Sequence, residues 1–383
     1  MVSMVGGYIL CNVLSAGVEA SIFSYAMGEI LHLPISNFWY TFLITVILLI
    51  ANLKGVDMFA KIQDLVAYLL LGSMLFMGLI GAFGMGTGVK VDQPYYMTTN
   101  PADIIPMIAV AFWLFIGAEY AIPISKDVKN AKRNVPLGMF IGLAIMCAVQ
   151  SVMIFGFHNY TPWKELTESP APHLLYGMNL LGTPGKLWMT LVAALAVVST
   201  QNSSVQGLAN ICQGMAKMNM MPQFFAKTNK NNVPYIGVWF VSLLILFFGY
   251  ISNDSSKLIS FLILVGSVFW MVSYIFAHID VLVLRHRLPK APRTFKVPLG
   301  PVFPLIGIAG TIYMIVNIST DPTERLMIWL VTGITFLVLF IYSVIWIKFK
   351  MKIPVFKSVP LEKVMAMENE MYYIIRKRRN LCR

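Results

Sequence analysis

Long apolar runs alternate with short polar connections along almost the whole chain. A helix that crosses a bilayer needs about 20 residues at 1.5 Å each. Ten runs approach or exceed that length, over roughly 5–31, 37–53, 63–86, 104–122, 136–157, 187–205, 235–252, 258–277, 302–319 and 327–347. The pattern predicts an all-α protein: a polytopic membrane helix bundle of ten spans within residues 1–350. A polar, basic tail, 351–383, closes the chain.

The connections sort by charge. Lys54, Lys61, the segment 126–133, Lys217, Lys227, Lys230, the segment 285–296, Lys348, Lys350 and the tail fall on one side of a ten-span topology. They carry 24 of the 29 Lys and Arg residues; Lys90, Lys164, Lys186, Lys257 and Arg325 fall on the other. The positive-inside rule makes the first side cytoplasmic. This predicts a multi-pass protein of the plasma (cytoplasmic) membrane with its first helix running outward and its C-terminus in the cytoplasm.

Composition agrees, with 58% hydrophobic and only 12% charged residues against about 25% in soluble domains. The net charge of +12 is then topogenic and implies no nucleic acid partner. The partner it implies is the lipid bilayer, with the Arg376–Arg379 cluster placed to meet anionic headgroups. The four cysteines, Cys11, Cys147, Cys212 and Cys382, are too scattered for a metal or disulfide framework. No metal, cofactor or hydrolase motif stands out, so the sequence points away from an enzyme.

Candidate chemistry lies inside the spans. The fourth run is interrupted at Ile116, Gly117, Ala118 and Glu119, a glycine and a carboxylate at membrane depth. A buried carboxylate there is costly unless it faces a cavity or a partner. A glycine beside it allows the helix to open and present bare backbone groups to a ligand. The alternative is a kinked helix whose Glu119 caps a neighbour. The sixth run and its continuation carry Ser199, Asn202, Ser203, Gln206, Asn210 and Gln213 at helical spacing. That stripe is either a cavity wall, chiefly Ser199 to Gln206, or polar adhesion between helices. Glu19, on a face shared with Tyr8, Asn12 and Ser15, is a second intramembrane carboxylate. It serves either a cationic ligand or proton, or a structural pair. Phe112, Trp113 and Trp270 are candidate lids, their alternative being ordinary packing.

Four segments carry a family resemblance: FIGAEYAIPISKDVKNAKRNVP (115–136), ANLKGVDMFAKIQ (51–63), GMAKMNMMPQFFAKTNKNNVP (214–234) and RTFKVPLGPVFPLIG (293–307). In order and spacing they resemble the amino acid–polyamine–organocation permeases. The resemblance implies helices 3–12 of a five-plus-five inverted-repeat, LeuT-like fold, with the first two helices expected to be missing. It also implies that the fourth run is the family's broken sixth helix, which shares the substrate site with a broken first one. The chain departs from the family at Lys126-Asp127, where an acidic pair is usual. Asn210 stands where Arg is usual, and no lysine occurs near Leu70.

The implied function is secondary active transport of amino acids or related amines by alternating access, as symporter or exchanger. Glu19 and Glu119 are the possible proton or cation sites. A small-molecule substrate, and a coupling proton or counter-substrate, would be the partners. The alternative is a truncated, transport-inactive remnant or an interaction subunit.

Overall fold

The computed structural model describes residues 2, 5–95, 104–122, 125, 128–169, 171–252, 256–287 and 299–355, and no strand occurs among them. A π-helical turn, Val5–Leu10, leads into α1 (Cys11–Leu31), followed by α2 (Phe38–Leu53), α3 (Val56–Ala82) and α4 (Ile104–Phe112). Then come α5 (Ala131–Tyr160), α6 (Trp163–Glu168), α7 (Pro172–Leu181), α8 (Thr183–Lys217), α9 (Tyr235–Ser252), α10 (Ser256–Arg287), α11 (Val302–Val316) and α12 (Pro322–Trp346). Among the described residues, those up to Leu339 form one compact unit and those from Phe340 onward a second.

Among the described residues, seven helices are long and apolar enough to cross a membrane: Val5–Gly28, Lys61–Ala82, Ala131–Tyr160, Thr183–Lys217, Tyr235–Ser252, Lys257–Arg287 and Pro322–Met351. The remaining three of the ten expected spans differ for visible reasons. Helices α2 and α11 have only 16 and 15 residues. The fourth run stops being an α-helix at Phe112. Two short helices, α6 and α7, fill a connection for which the hydropathy pattern predicts no element. Pro172 starts α7, and Gly182 at φ 68° ends it and begins α8.

Helices α1, α2, α8 and α9 pack together around Val13, Leu49, Leu208, Cys212, Val238 and Ile245, all buried. Close approach depends on small residues, as expected where packing rather than water drives association. A Cβ on Gly17 would lie 3.0 Å from the Gly249 amide nitrogen of α9. Polar groups inside this core pair across helices: Ser21 with Ser252 at 2.6 Å, the Thr45 hydroxyl with Gln201 Oε1 at 3.3 Å, and Asn52 Nδ2 with Asn202 Oδ1 at 3.0 Å.

Helix α3 packs on α5 and α8, and α7 packs on α8. At the ends of these helices remote from the basic connections, Met77, Met153, Tyr160, Tyr176, Leu180 and Met189 form a closed cluster. The chain leaving α3 is stitched over it. Gly86 N donates to Tyr160 Oη at 2.9 Å, Val91 N to Asn159 O at 2.9 Å and Gln93 Nε2 to His158 O at 2.7 Å. Tyr95 stacks on His158 with ring centroids 3.9 Å apart. His158 is thus buried.

Candidate functional site

The fourth run unwinds in two steps. After α4 the chain tightens into a 3-10 turn, Trp113–Phe115, then turns at Ile116 and Gly117, and re-forms a 3-10 turn at Ala118–Ala121. Gly117 sits at φ 118° and ψ −13°, where a side chain is strained and glycine is not. The helical ladder is therefore open where the glycine stands.

Glu119, 8% exposed, folds back on this turn. Its Oε2 accepts the Gly117 N–H at 3.1 Å, and its Oε1 accepts the Tyr274 hydroxyl of α10 at 2.9 Å. Phe112 meets the Tyr274 ring edge-on at 5.5 Å, and Tyr8 leans on Trp270, with ring centroids 5.5 Å apart. Trp270 and Tyr274 are four residues apart and so share one face of α10.

A cavity of about 660 Å³ lies beside the turn. Ile116, Gly117 and Ala118 line it, together with Glu19, Ser199, Ser203 and Trp270. Seven of the residues singled out from sequence thus meet at one space. Asn12, Ser15, Gln63, Asp64 and Thr200 add further polar lining. The Glu19 Oε1 atom accepts the Ser15 hydroxyl at 3.2 Å, and the Thr200 hydroxyl stands close to the same carboxylate.

Other candidates named from the sequence stand elsewhere. Glu119 does not line the cavity, because both of its oxygens are turned to Gly117 and Tyr274. Asn202 also faces away: it is fully buried, bonded to Asn52 Nδ2 at 3.0 Å, and directs its own Nδ2 at Gln63 Oε1, 3.5 Å away. The physical reason is angular. Ser199, Ser203 and Gly207 follow one another at steps of four residues on one face, whereas Asn202 lies about 100° round the helix from Ser203, the middle of that face. Phe112 packs on Tyr274 rather than over the cavity. The side chain of Trp113 lies outside the described residues. Farther along α8, Gln213 is buried and donates to Ala226 O at 3.4 Å.

Gln63 is the lining residue hardest to foresee. It falls where hydropathy places the border of a connection, but α3 begins at Val56 and carries it two turns into the helix. There its Nε2 donates to Ser199 Oγ at 2.8 Å. An amide heading an apolar run was the only signal.

The amino acid permease family profile matches residues 2–346. The chain is similar to the branched-chain amino acid permease BcaP of Bacillus subtilis, at 23% identity over 66% of this chain and 52% of the relative. It is 20% identical to the methylthioribose transporter of Bacillus subtilis, covering 78% of this chain and 63% of that protein. The glutamate/gamma-aminobutyrate antiporter of Lactococcus lactis subsp. lactis is 24% identical, over 65% of this chain and 52% of the antiporter. The chain therefore spans only about half to two thirds of the length of these curated relatives. With a match over nearly all its residues and several bilayer-length apolar helices, this multi-pass membrane chain belongs to the amino acid permease family, within the amino acid–polyamine–organocation superfamily.

Proposed function

We propose that this chain is a secondary active transporter for amino acids or related amines that works by alternating access in the plasma membrane. The observation that carries the reading is the open turn at Gly117 bordering a cavity that polar side chains line at membrane depth. Backbone groups at Ile116, Gly117 and Ala118 would meet the polar end of the substrate, and Ser199 and Ser203 would line its pocket. Trp270 would close one end. Glu119 would hold the turn in shape, and Asn202 would brace the wall from behind.

In this reading the chain has the ten spans expected from hydropathy, arranged as helices 3–12 of the LeuT-like inverted-repeat fold. Residues 1–350 would be the permease domain, followed by a cytoplasmic tail. The cavity is lined from the halves of α3, α5 and α8 nearest the basic connections, whereas the opposite ends are packed shut around Tyr160 and Tyr176. That asymmetry corresponds to a state open to the cytoplasm. Rocking α3 and α5 against the α1, α2, α8 and α9 core would expose the same wall outward.

Uptake of a panel of labelled amino acids and amines into proteoliposomes containing the full chain tests this. Saturable, competable uptake above that of empty liposomes is expected. Uptake equal to that of empty liposomes for the whole panel would reject it.

A further inference from the structure

Glu19 and Glu119 stand in different circumstances, while Asp64, a third carboxylate on the cavity wall, is exposed near the start of α3. Glu119 has one oxygen on Gly117 N–H and the other on the Tyr274 hydroxyl. Glu19 faces the cavity, with Oε1 taking the Ser15 hydroxyl. Among the described residues that line this cavity there is no Lys, Arg or His. A carboxylate at membrane depth is costly unless something cationic or a proton meets it. The same cavity also has aliphatic lining: Leu70 and Leu71 from α3, Leu143 and Met146 from α5, and Leu114 before the break.

We propose that Glu19 receives the ammonium group of the transported compound and that its body lies along the Leu70, Leu71, Leu143 and Met146 wall. Substrates of this cavity then carry a primary ammonium on an uncharged aliphatic body. This rests on the transport reading above and narrows it to one substrate class. It also divides the labour between the carboxylates: Glu19 meets the guest, and Glu119 shapes the turn.

The test is binding to the purified full chain in lipid nanodiscs, with L-leucine, isoamylamine, isocaproate and putrescine as probes. These are an aliphatic amino acid, the same body without its carboxylate, the same body without its ammonium, and a dication. Leucine and isoamylamine are expected to bind, and isocaproate roughly ten-fold or more weakly. Glu19→Gln should weaken leucine and isoamylamine by a similar factor, about ten-fold or more, and Glu19→Asp by less. A second measurement needs no variant. In the wild-type protein, isoamylamine should slow modification of Glu19 by a hydrophobic carbodiimide, read by mass spectrometry, and isocaproate should not.

Unchanged leucine affinity in Glu19→Gln would overturn the proposal, as would isocaproate binding as tightly as leucine, or binding of putrescine alone. Carbodiimide modification at the same rate with and without isoamylamine would do so too. If Glu19→Gln binds normally and loses only proton-driven accumulation, Glu19 is a proton carrier and not the ammonium site. Any of these results leaves the transporter reading standing, whereas a wild-type protein that neither binds nor takes up any amino acid or amine removes both.

Discussion

The Tyr274 hydroxyl donates to Glu119 Oε1 at 2.9 Å, tying α10 to the unwound segment, while Glu119 Oε2 holds the Gly117 N–H at 3.1 Å. One carboxylate thus fastens the open turn both to itself and to a neighbouring helix. Removing a partner leaves a buried donor or acceptor unpaired, which costs about 1–3 kcal/mol. Tyr274→Phe and Glu119→Ala should each lower the unfolding temperature in detergent. The double variant should fall little below Glu119→Ala alone, because the truncation already removes the Tyr274 bond. Strictly additive losses would show that the two residues act separately.

Gly117 at φ 118° admits no other residue without strain of about 1–3 kcal/mol. Gly117→Ala is expected to reduce uptake about ten-fold or more while the protein still inserts and elutes as a single species. Gly142, which has open space around its Cα and also borders the cavity, is the comparison. Gly142→Ala should have the smaller effect. Equal effects would mean that the left-handed turn is not what transport depends on.

Neighbouring positions on α8 should separate stability from binding. Asn202→Ala removes a fully buried partner of Asn52 and is expected to cost about 1–3 kcal/mol of stability. Ser203→Ala changes only the cavity wall and should alter the apparent KM with little effect on unfolding. The opposite ranking in a thermal-shift and uptake series would reverse the assignment of the two faces.

His173, in α7 outside the membrane-spanning helices, has its imidazole pushed down by burial from 6.5 to about 4, and its Nε2 finds no hydrogen-bond partner among the described residues. As pH falls through the ordinary histidine value, the unfolded chain takes up a proton that the folded one refuses. The stability held above about pH 6.5 is therefore lost between there and about pH 4, by at most about 3 kcal/mol. Unfolding temperatures across that window should fall more steeply for the wild-type protein than for His173→Asn. Parallel curves would show that this histidine is hydrated in the folded state.

Accessibility tests the proposed cytoplasm-facing state. With the four native cysteines replaced by serine, a Ser203→Cys variant should react with a membrane-impermeant maleimide faster in inside-out than in right-side-out vesicles. Tyr176, fully buried in the packed cluster at the far end, marks the closed side. Faster labelling from the outside would reverse the orientation of the cavity.

Hydropathy and charge were enough to establish a helical membrane protein and to rank its spans, because lipid leaves the backbone only one way to satisfy itself within a single segment. The glycine and carboxylate at 117 and 119 marked the fourth run as unlike the others, since neither belongs in a lipid-facing helix. Which side of each helix meets a cavity is a different kind of quantity. It depends on angles between neighbours that a one-dimensional pattern does not contain. Ser203 and Asn202 are adjacent and both polar, yet one borders the cavity and the other braces Asn52. Glu19 and Glu119 are equally conspicuous in the sequence, and only packing decides that Tyr274 engages one while the cavity receives the other. Gln63 entered the wall because α3 starts at Val56, where the chain is too polar for hydropathy to register a span but still long enough to wind as helix.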